Sequence, residues 1–241
     1  MAHLSGSERA RYVQGMFARI ARRYDLMNHL MTAGQDVRWR REVIRRAALP
    51  QGGLMLDLGA GTGDLAREAL HQSPGSTAVA ADFTLEMMLV GKQHPASRLV
   101  WSAADALYLP FAAEHFEAVV SGFLLRNVSD LPQALAEQRR VLKPGGRIVA
   151  LDTTQPPSAW TPGSPWENLF TPLIQIHLHT IIPALGRLVT GDAEAYRYLP
   201  DSTESFLRAE DLAEGMRAAG FRQVGFRRLM LGTVAIHWGT K

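Results

Sequence analysis

The chain has no cysteine among its 241 residues. Disulfide frameworks, thiolate nucleophiles, Cys-ligated zinc and iron–sulfur clusters are therefore excluded. Lysine is nearly missing as well. Lys92, Lys143 and Lys241 are the whole complement, so arginine carries the basic character. Acidic residues are scarce at one end: residues 1–50 hold ten arginines against Glu8, Asp25, Asp36 and Glu42, whereas the remainder is slightly acidic. No apolar run of signal-peptide length opens the sequence, and Arg9 and Arg11 interrupt MAHLSGSERARYVQGMF, which predicts a cytoplasmic protein. No zinc-finger, RNP-like or helix-turn-helix pattern accompanies the basic segment, so no nucleic-acid partner is expected. No cluster with metal-ligand spacing is present either, and no metal is expected.

What remains is a globular composition, 46% hydrophobic and 20% charged, in a chain long enough for one large domain or one domain carrying a substantial insertion. Residues 1–50 read as helical and basic, with Arg38, Arg41 and Arg45 on a segment interleaved with Trp39, Val43 and Ile44. Such a helix suits either solvent or an anionic surface. After Pro50-Gln51-Gly52-Gly53 the pattern changes to short apolar runs alternating with amphipathic stretches, the mark of a parallel α/β sheet. Strands are predicted at 54–58, 77–81, 99–102, 118–121, 147–152, 223–229 and 233–238, with helices over 63–71, 85–93 and 131–142. Lys143-Pro144-Gly145-Gly146 reads as a stop and a turn. The last two strands, separated by residues including Gly232, predict an antiparallel hairpin. Residues 153–200 break the alternation: a Pro-rich loop leads into 168–186, which carries no charge. That run is long enough to be weighed as a membrane span. Pro172, Pro183, Gln175, His177 and His179 argue against spanning, and an inserted helical cap over a site is the better reading.

The strongest local signal is Leu56-Asp57-Leu58-Gly59-Ala60-Gly61-Thr62-Gly63-Asp64, an apolar strand that runs into a glycine-rich turn opening a helix. Such a turn lets a ligand approach the backbone. A dinucleotide fingerprint requires G-x-G-x-x-G, but Asp64 occupies the last position, which disfavours a nicotinamide enzyme. The D-x-G-x-G-x-G form resembles the first motif of Rossmann-like S-adenosylmethionine methyltransferases. Asp57, Gly59, Gly61 and Thr62 belong to that motif. Asp82, about 20 residues beyond the loop, stands where a carboxylate can accept from ribose hydroxyls. Asp105 and the backbone of Ala106 are placed to meet an adenine ring, and Ser121 ends the fourth strand on the same crevice.

Further segments carry a more specific likeness: Phe17-Ala18-Arg19-Ile20-Ala21-Arg22-Arg23-Tyr24-Asp25-Leu26-Met27-Asn28, Phe123-Leu124-Leu125-Arg126-Asn127-Val128, Tyr196-Arg197-Tyr198-Leu199-Pro200-Asp201-Ser202 and Gly232-Thr233-Val234-Ala235-Ile236-His237. From about Tyr12 to the C-terminus this set resembles the UbiE-type C-methyltransferases of menaquinone and ubiquinone biosynthesis. The resemblance implies an α/β Rossmann-like class I methyltransferase: a mostly parallel seven-stranded sheet with an antiparallel C-terminal hairpin, an N-terminal helical cap and an inserted helical segment. It implies a single domain over 1–241, divided into the cap at 1–50, the cofactor-binding half at 51–152, the inserted cap at 153–200 and the C-terminal helix and hairpin at 201–241. The implied cofactor is S-adenosyl-L-methionine and the implied substrate a polyprenyl quinol, demethylmenaquinol first. A same-fold enzyme for another amphipathic molecule, the ubiquinone-pathway benzoquinol included, and a non-catalytic binding protein are the alternatives.

By position in the family motif, Arg126 is the candidate beside the substrate hydroxyl, holding a water or stabilising an oxyanion. Tyr24, Asn28, Asn127, Tyr196 and Tyr198 are the candidate substrate contacts. The chain departs from the family pattern at Leu124, where glycine is usual, at Asp152-Thr153-Thr154-Gln155-Pro156, and at His177 and His179, which stand where aromatic residues are usual. Either histidine is a candidate base, since imidazole titrates near neutrality. A bilayer-borne quinol further implies an enzyme peripherally associated with the inner face of the cell membrane.

Overall fold

The computed structural model describes residues 6–155, 176, 180–189, 202 and 206–241. Three helices come first: α1 (Gly6–Ile20), α2 (Tyr24–Met31) and α3 (Asp36–Ala47), with a 3-10 turn at Ala21–Arg23 joining the first two. The amphipathic pattern dictates their placement. Val13, Met16 and Ile20 form one buried stripe of α1 and close a small core with Met27 of α2. Trp39, Val43, Ile44 and Ala47 turn α3 onto the sheet, leaving Arg38, Arg41 and Arg45 exposed on the opposite face.

Seven strands follow: β1 (Leu54–Leu58), β2 (Thr77–Asp82), β3 (Leu99–Ala103), β4 (Phe116–Gly122), β5 (Leu142–Thr153), β6 (Arg222–Leu229) and β7 (Val234–Thr240). They form one sheet in the order β3-β2-β1-β4-β5-β7-β6. The first five are parallel, with Leu54 opposite Thr77 and Asp57 opposite Val120, whereas β7 runs antiparallel to both β5 and β6. Both faces are covered, so the central strands read as continuous apolar runs. Alternate residues divide between two cores. Met55, Ala78, Ala80, Ala118, Val120 and Val149 face α3 and α4 (Asp64–Gln72). Leu56, Leu58, Ala81, Val119 and Ile148 face the other way, towards Leu135 of α6 (Leu131–Val141) and Met216 of α8 (Ala209–Ala218). Between them in sequence lie α5 (Leu85–Gly91), after β2, and α7 (Ile182–Val189), whose Ile182 joins the small core of α1 and α2.

The seven strands, the parallel order and the C-terminal hairpin agree with the expectation from sequence. One local reading is corrected. Lys143–Gly146, expected as a stop and turn, lies within β5, because Leu142 already pairs with Phe116 and the register irregularity falls between Phe116 and Ala118. Glu117 supports this stretch by accepting from Leu54 N and pairing with Lys143. Most of 153–200, with His177, His179, Tyr196 and Tyr198, lies outside the described residues. Among the described residues no helix is long and apolar enough to cross a membrane. The sheet order reverses at β1, between β2 and β4. In open α/β sheets that switch point is where a ligand crevice forms, outside the carboxyl ends of the strands.

Candidate active site

A cleft of about 380 Å³ opens at that switch point. Its floor is the turn after β1, where Gly59, Gly61 and Gly63 all take left-handed backbone conformations. The turn folds back onto β2, with Gly59 N and Ala60 N both donating to Ala81 O at 2.8 and 3.0 Å. A side chain at Gly63 would sit 2.7 Å from the Trp101 ring, so both conformation and space require glycine there. Asp57, fully buried beneath the turn, accepts from Ala66 N at 2.9 Å and so caps the first turn of α4. Burial is the main reason that its pKa rises to about 7, with the charges of Asp82 and Asp64 adding to the effect.

Asp82 is the carboxylate of the cleft wall held by two backbone donors. Its two oxygens accept from Gly61 N and Thr84 N, each at 2.7 Å, which ties the end of β2 to the glycine turn. Burial raises its pKa, and the hydrogen bonds from Thr84 and Gly61 oppose the shift. Asp105 lines the wall beyond β3, where it accepts from Leu107 N at 2.9 Å, and Ala106 lies beside it. The opposite wall is apolar and aromatic, from Phe123 and Leu124 after β4 and Phe17 and Tyr24 of the N-terminal helices. Phe17 and Tyr24 meet edge to face at 5.7 Å between ring centres. Burial raises the Tyr24 pKa, so the phenol keeps its proton, while its hydrogen bond with Asn28 and the Arg126 charge pull the other way.

The expected site residues are thus sorted. Gly59, Gly61, Asp82, Asp105, Ala106, Tyr24 and Asn127 line the cleft. Asp57, Thr62, Ser121, Asn28 and Arg126 do not; Asn28 is half-buried and the other four are buried. Ser121 Oγ is buried with no hydrogen-bond partner among the described residues. Arg126 is 5% exposed, and its guanidinium pairs with Asp152 at 2.8 Å and lies 5.0 Å from the centre of the Phe123 ring. The same Asp152 accepts from Arg126 N at 3.2 Å, so it pins the turn after β4 through both backbone and side chain. Phe123, in a left-handed conformation at φ 58°, donates to Leu151 O at 2.7 Å. The N-terminal helix contributes Arg11, Gln14 and Phe17 to the cleft lining, none of which was assigned a site role from sequence, although Phe17 opens the family-like segment 17–28; Gln14 Nε2 donates to Phe83 O at 3.1 Å. Their signal was the face of α1 adjoining its apolar stripe, which needs the tertiary fold before it points anywhere.

A doubly wound sheet with a strand-to-helix glycine turn, a carboxylate after β2 and an antiparallel β7 inserted beside β5 defines a Rossmann-like class I methyltransferase fold. Solved structures agree: the [4+2]-cyclase SpnF superposes with a TM-score of 0.66 at 16% identity, over 95% of this chain and 94% of that one. A SAM-dependent methyltransferase from Aquifex aeolicus gives 0.57 at 15% identity, over 83% of this chain and 88% of its own. One of these is a cyclase, so the fold alone does not set the chemistry. The sequence is more specific. The ubiE/COQ5 methyltransferase family matches residues 5–241, and the chain belongs to that family. Relatives include the ubiquinone/menaquinone biosynthesis C-methyltransferase UbiE of Desulfotalea psychrophila, 46% identical over 95% of this chain and 90% of the relative. The demethylmenaquinone methyltransferase of Thermus thermophilus is 40% identical over 94% of this chain and the full length of the relative.

Proposed function

We propose that this protein C-methylates a polyprenyl hydroquinone with S-adenosylmethionine as methyl donor, converting demethylmenaquinol to menaquinol. The full-length identity to relatives so named carries this reading. The cleft is chemically suited to the donor. Asp82 and Asp105 supply acceptors for ribose hydroxyls and an amino group, the glycine turn gives close backbone approach, and the aromatic wall suits a flat ring and a cationic sulfonium. When bound, S-adenosylmethionine supplies an electrophilic methyl group.

The residues of the chain have three tasks. An acceptor ring carbon becomes nucleophilic once its neighbouring hydroxyl loses a proton, because the aryloxide carries carbanion character at the ortho position. The first task is therefore to accept that proton, and then the hydrogen that the methylated ring carbon sheds as a proton to restore aromaticity; His177 and His179 are our candidates. The second is to favour the aryloxide. For this we assign Arg126, whose guanidinium is a poor base and whose charge, shared with Asp152, lies one layer behind Phe123. The third is to orient the ring and exclude water, for which Phe17, Tyr24, Phe123 and Leu124 provide the wall.

Purified protein incubated with S-adenosylmethionine and reduced demethylmenaquinone should yield a product 14 mass units heavier. In a host lacking its own quinone C-methyltransferase, expression should clear accumulated demethylmenaquinone from the quinone pool. Methylation of a benzoquinol alone would favour the second reading, which the combined ubiquinone/menaquinone name of the D. psychrophila relative supports. Absence of any methylated quinone would sink both. The same assay run across pH with His177→Gln and His179→Gln should lose the acid limb in one of them; an unchanged profile in both removes the histidines.

A further inference from the structure

Polar contacts tie the N-terminal helices to the cofactor end of the sheet. Arg9 Nη2 donates to Arg126 O at 2.8 Å, in the turn after β4. Gln14 donates to Phe83 O, in the turn after β2. The third contact goes to the glycine turn itself: Thr62 Oγ1 donates to Asp25 Oδ1 at 2.7 Å. Asp25 belongs to the Tyr24–Asn28 motif, yet neither the cleft nor the proposed chemistry accounts for it. Its neighbour Tyr24 lines the cleft, with its ring edge 3.9 Å from the point where a side chain on Gly61 would begin.

We propose that Asp25 is a positioning residue for the cofactor: by gripping the hydroxyl of Thr62 it clamps the N-terminal helices onto the glycine turn and closes the cleft over the bound ligand. Thr62 is 2% exposed and does not line the cleft, whereas Gly59 and Gly61 do. The grip therefore takes the turn from behind and leaves its ligand-facing backbone free. A second brace keeps the turn from yielding to the pull. Thr62 O accepts from Arg67 Nη2 at 2.6 Å, Arg67 pairs with Asp64, and Asp64 pairs with Arg40 of α3 at 2.6 Å. The charged groups facing Asp25 are thus Asp64, Arg40 and Arg67, with the Tyr24 phenol alongside. Only the Thr62 hydroxyl among these ties α2 directly to the turn, so its loss loosens α2 from the turn without dismantling the brace.

This inference rests on the cofactor reading above, and calorimetric titration of the full chain with S-adenosylhomocysteine separates the two. If the wild-type protein does not bind, the cofactor reading fails. If it does bind, Asp25→Ala and Thr62→Val should each weaken binding about tenfold, the scale of one charge-assisted hydrogen bond. The double variant should also lose about tenfold and not a hundredfold, because both changes remove one interaction. Asp25→Asn keeps an oxygen that accepts from Thr62 and should recover to within about threefold of wild type, which a general loss of packing would not allow. Unchanged affinity in the single variants, multiplied losses in the double variant, or no recovery with asparagine would each overturn the proposal. Should Asp25→Ala fail to fold, Thr62→Val, which conserves shape, carries the same test alone.

Discussion

Asp57 illustrates how a single residue can serve the fold at a cost that depends on pH. It caps α4 from inside the protein, where one of its oxygens has no partner among the described residues, and its pKa stands at about 7. An unfolded carboxylate titrates at ~4. Between those values the folded state holds a proton that the unfolded chain has released, so the contribution of this group to stability is complete below about pH 4 and vanishes as pH rises through about 7. Asp57→Asn imitates the protonated form: its oxygen accepts from Ala66 N, and nothing ionises. Relative to wild type, the melting temperature of this variant should therefore climb by several degrees between pH 5 and pH 8, measured without cofactor. A constant offset across that range would assign the titration to another group. Asp57 also shows what single residues reveal in sequence. Its place before the glycine turn was legible, as were Asp82 and Asp105, because strand ends fix where a side chain stands. Ser121 and Arg126 were not, since whether a strand-end residue turns into the crevice or behind it depends on the turn that follows, here bent by the left-handed Phe123.

At the scale of elements, the cofactor end depends on helix-to-turn contacts that propensity alone would misjudge. Gly91 ends α5, and a general preference would favour alanine there by about 1 kcal/mol. Space decides the opposite. A side-chain carbon on Gly91 would lie 2.3 Å from the Trp101 ring and 2.4 Å from the carbonyl oxygen of Thr62, which is backbone and belongs to the glycine turn. Overpacking of this kind costs about 1–3 kcal/mol. Gly91→Ala should therefore lower the melting temperature by roughly 2–10 °C and weaken S-adenosylhomocysteine binding as the turn shifts; a variant as stable as wild type would show that α5 can move away freely. The elements themselves were mostly legible: strands buried on both faces announce themselves as apolar runs, and the Gly232 turn foretold the hairpin. Two features were not. The continuation of β5 through Lys143–Gly146 depends on Phe116 across the sheet, and the seating of α1 on the cleft depends on contacts far apart in sequence, so local pattern contains neither.

For the whole molecule, the open matter is how a cleft with no spanning helix among the described residues meets a substrate that lives in a bilayer, and we propose peripheral association through the basic N-terminal region on the cytoplasmic side. The charges there are unequal. Arg40 is engaged by Asp36 and Asp64, Arg46 by Glu42 and the face of Trp238, and Arg45 also by Glu42. Arg38 and Arg41 stand exposed on α3. At about 1 kcal/mol for each unpaired arginine near an anionic surface, those two would supply ~2 kcal/mol, whereas Arg45 is already partly neutralised by its neighbour. Sedimentation with vesicles containing phosphatidylglycerol should therefore show binding that weakens as salt rises, since the Debye length shortens to about 10 Å at 0.1 M. Arg38→Gln with Arg41→Gln should reduce partitioning roughly thirtyfold, and Arg45→Gln by much less. Equal effects of the two changes would mean that net charge alone governs the contact. No binding at low salt, or none of these variants differing from wild type, would show that the basic face is merely solvated and that the quinol reaches the cleft by another route.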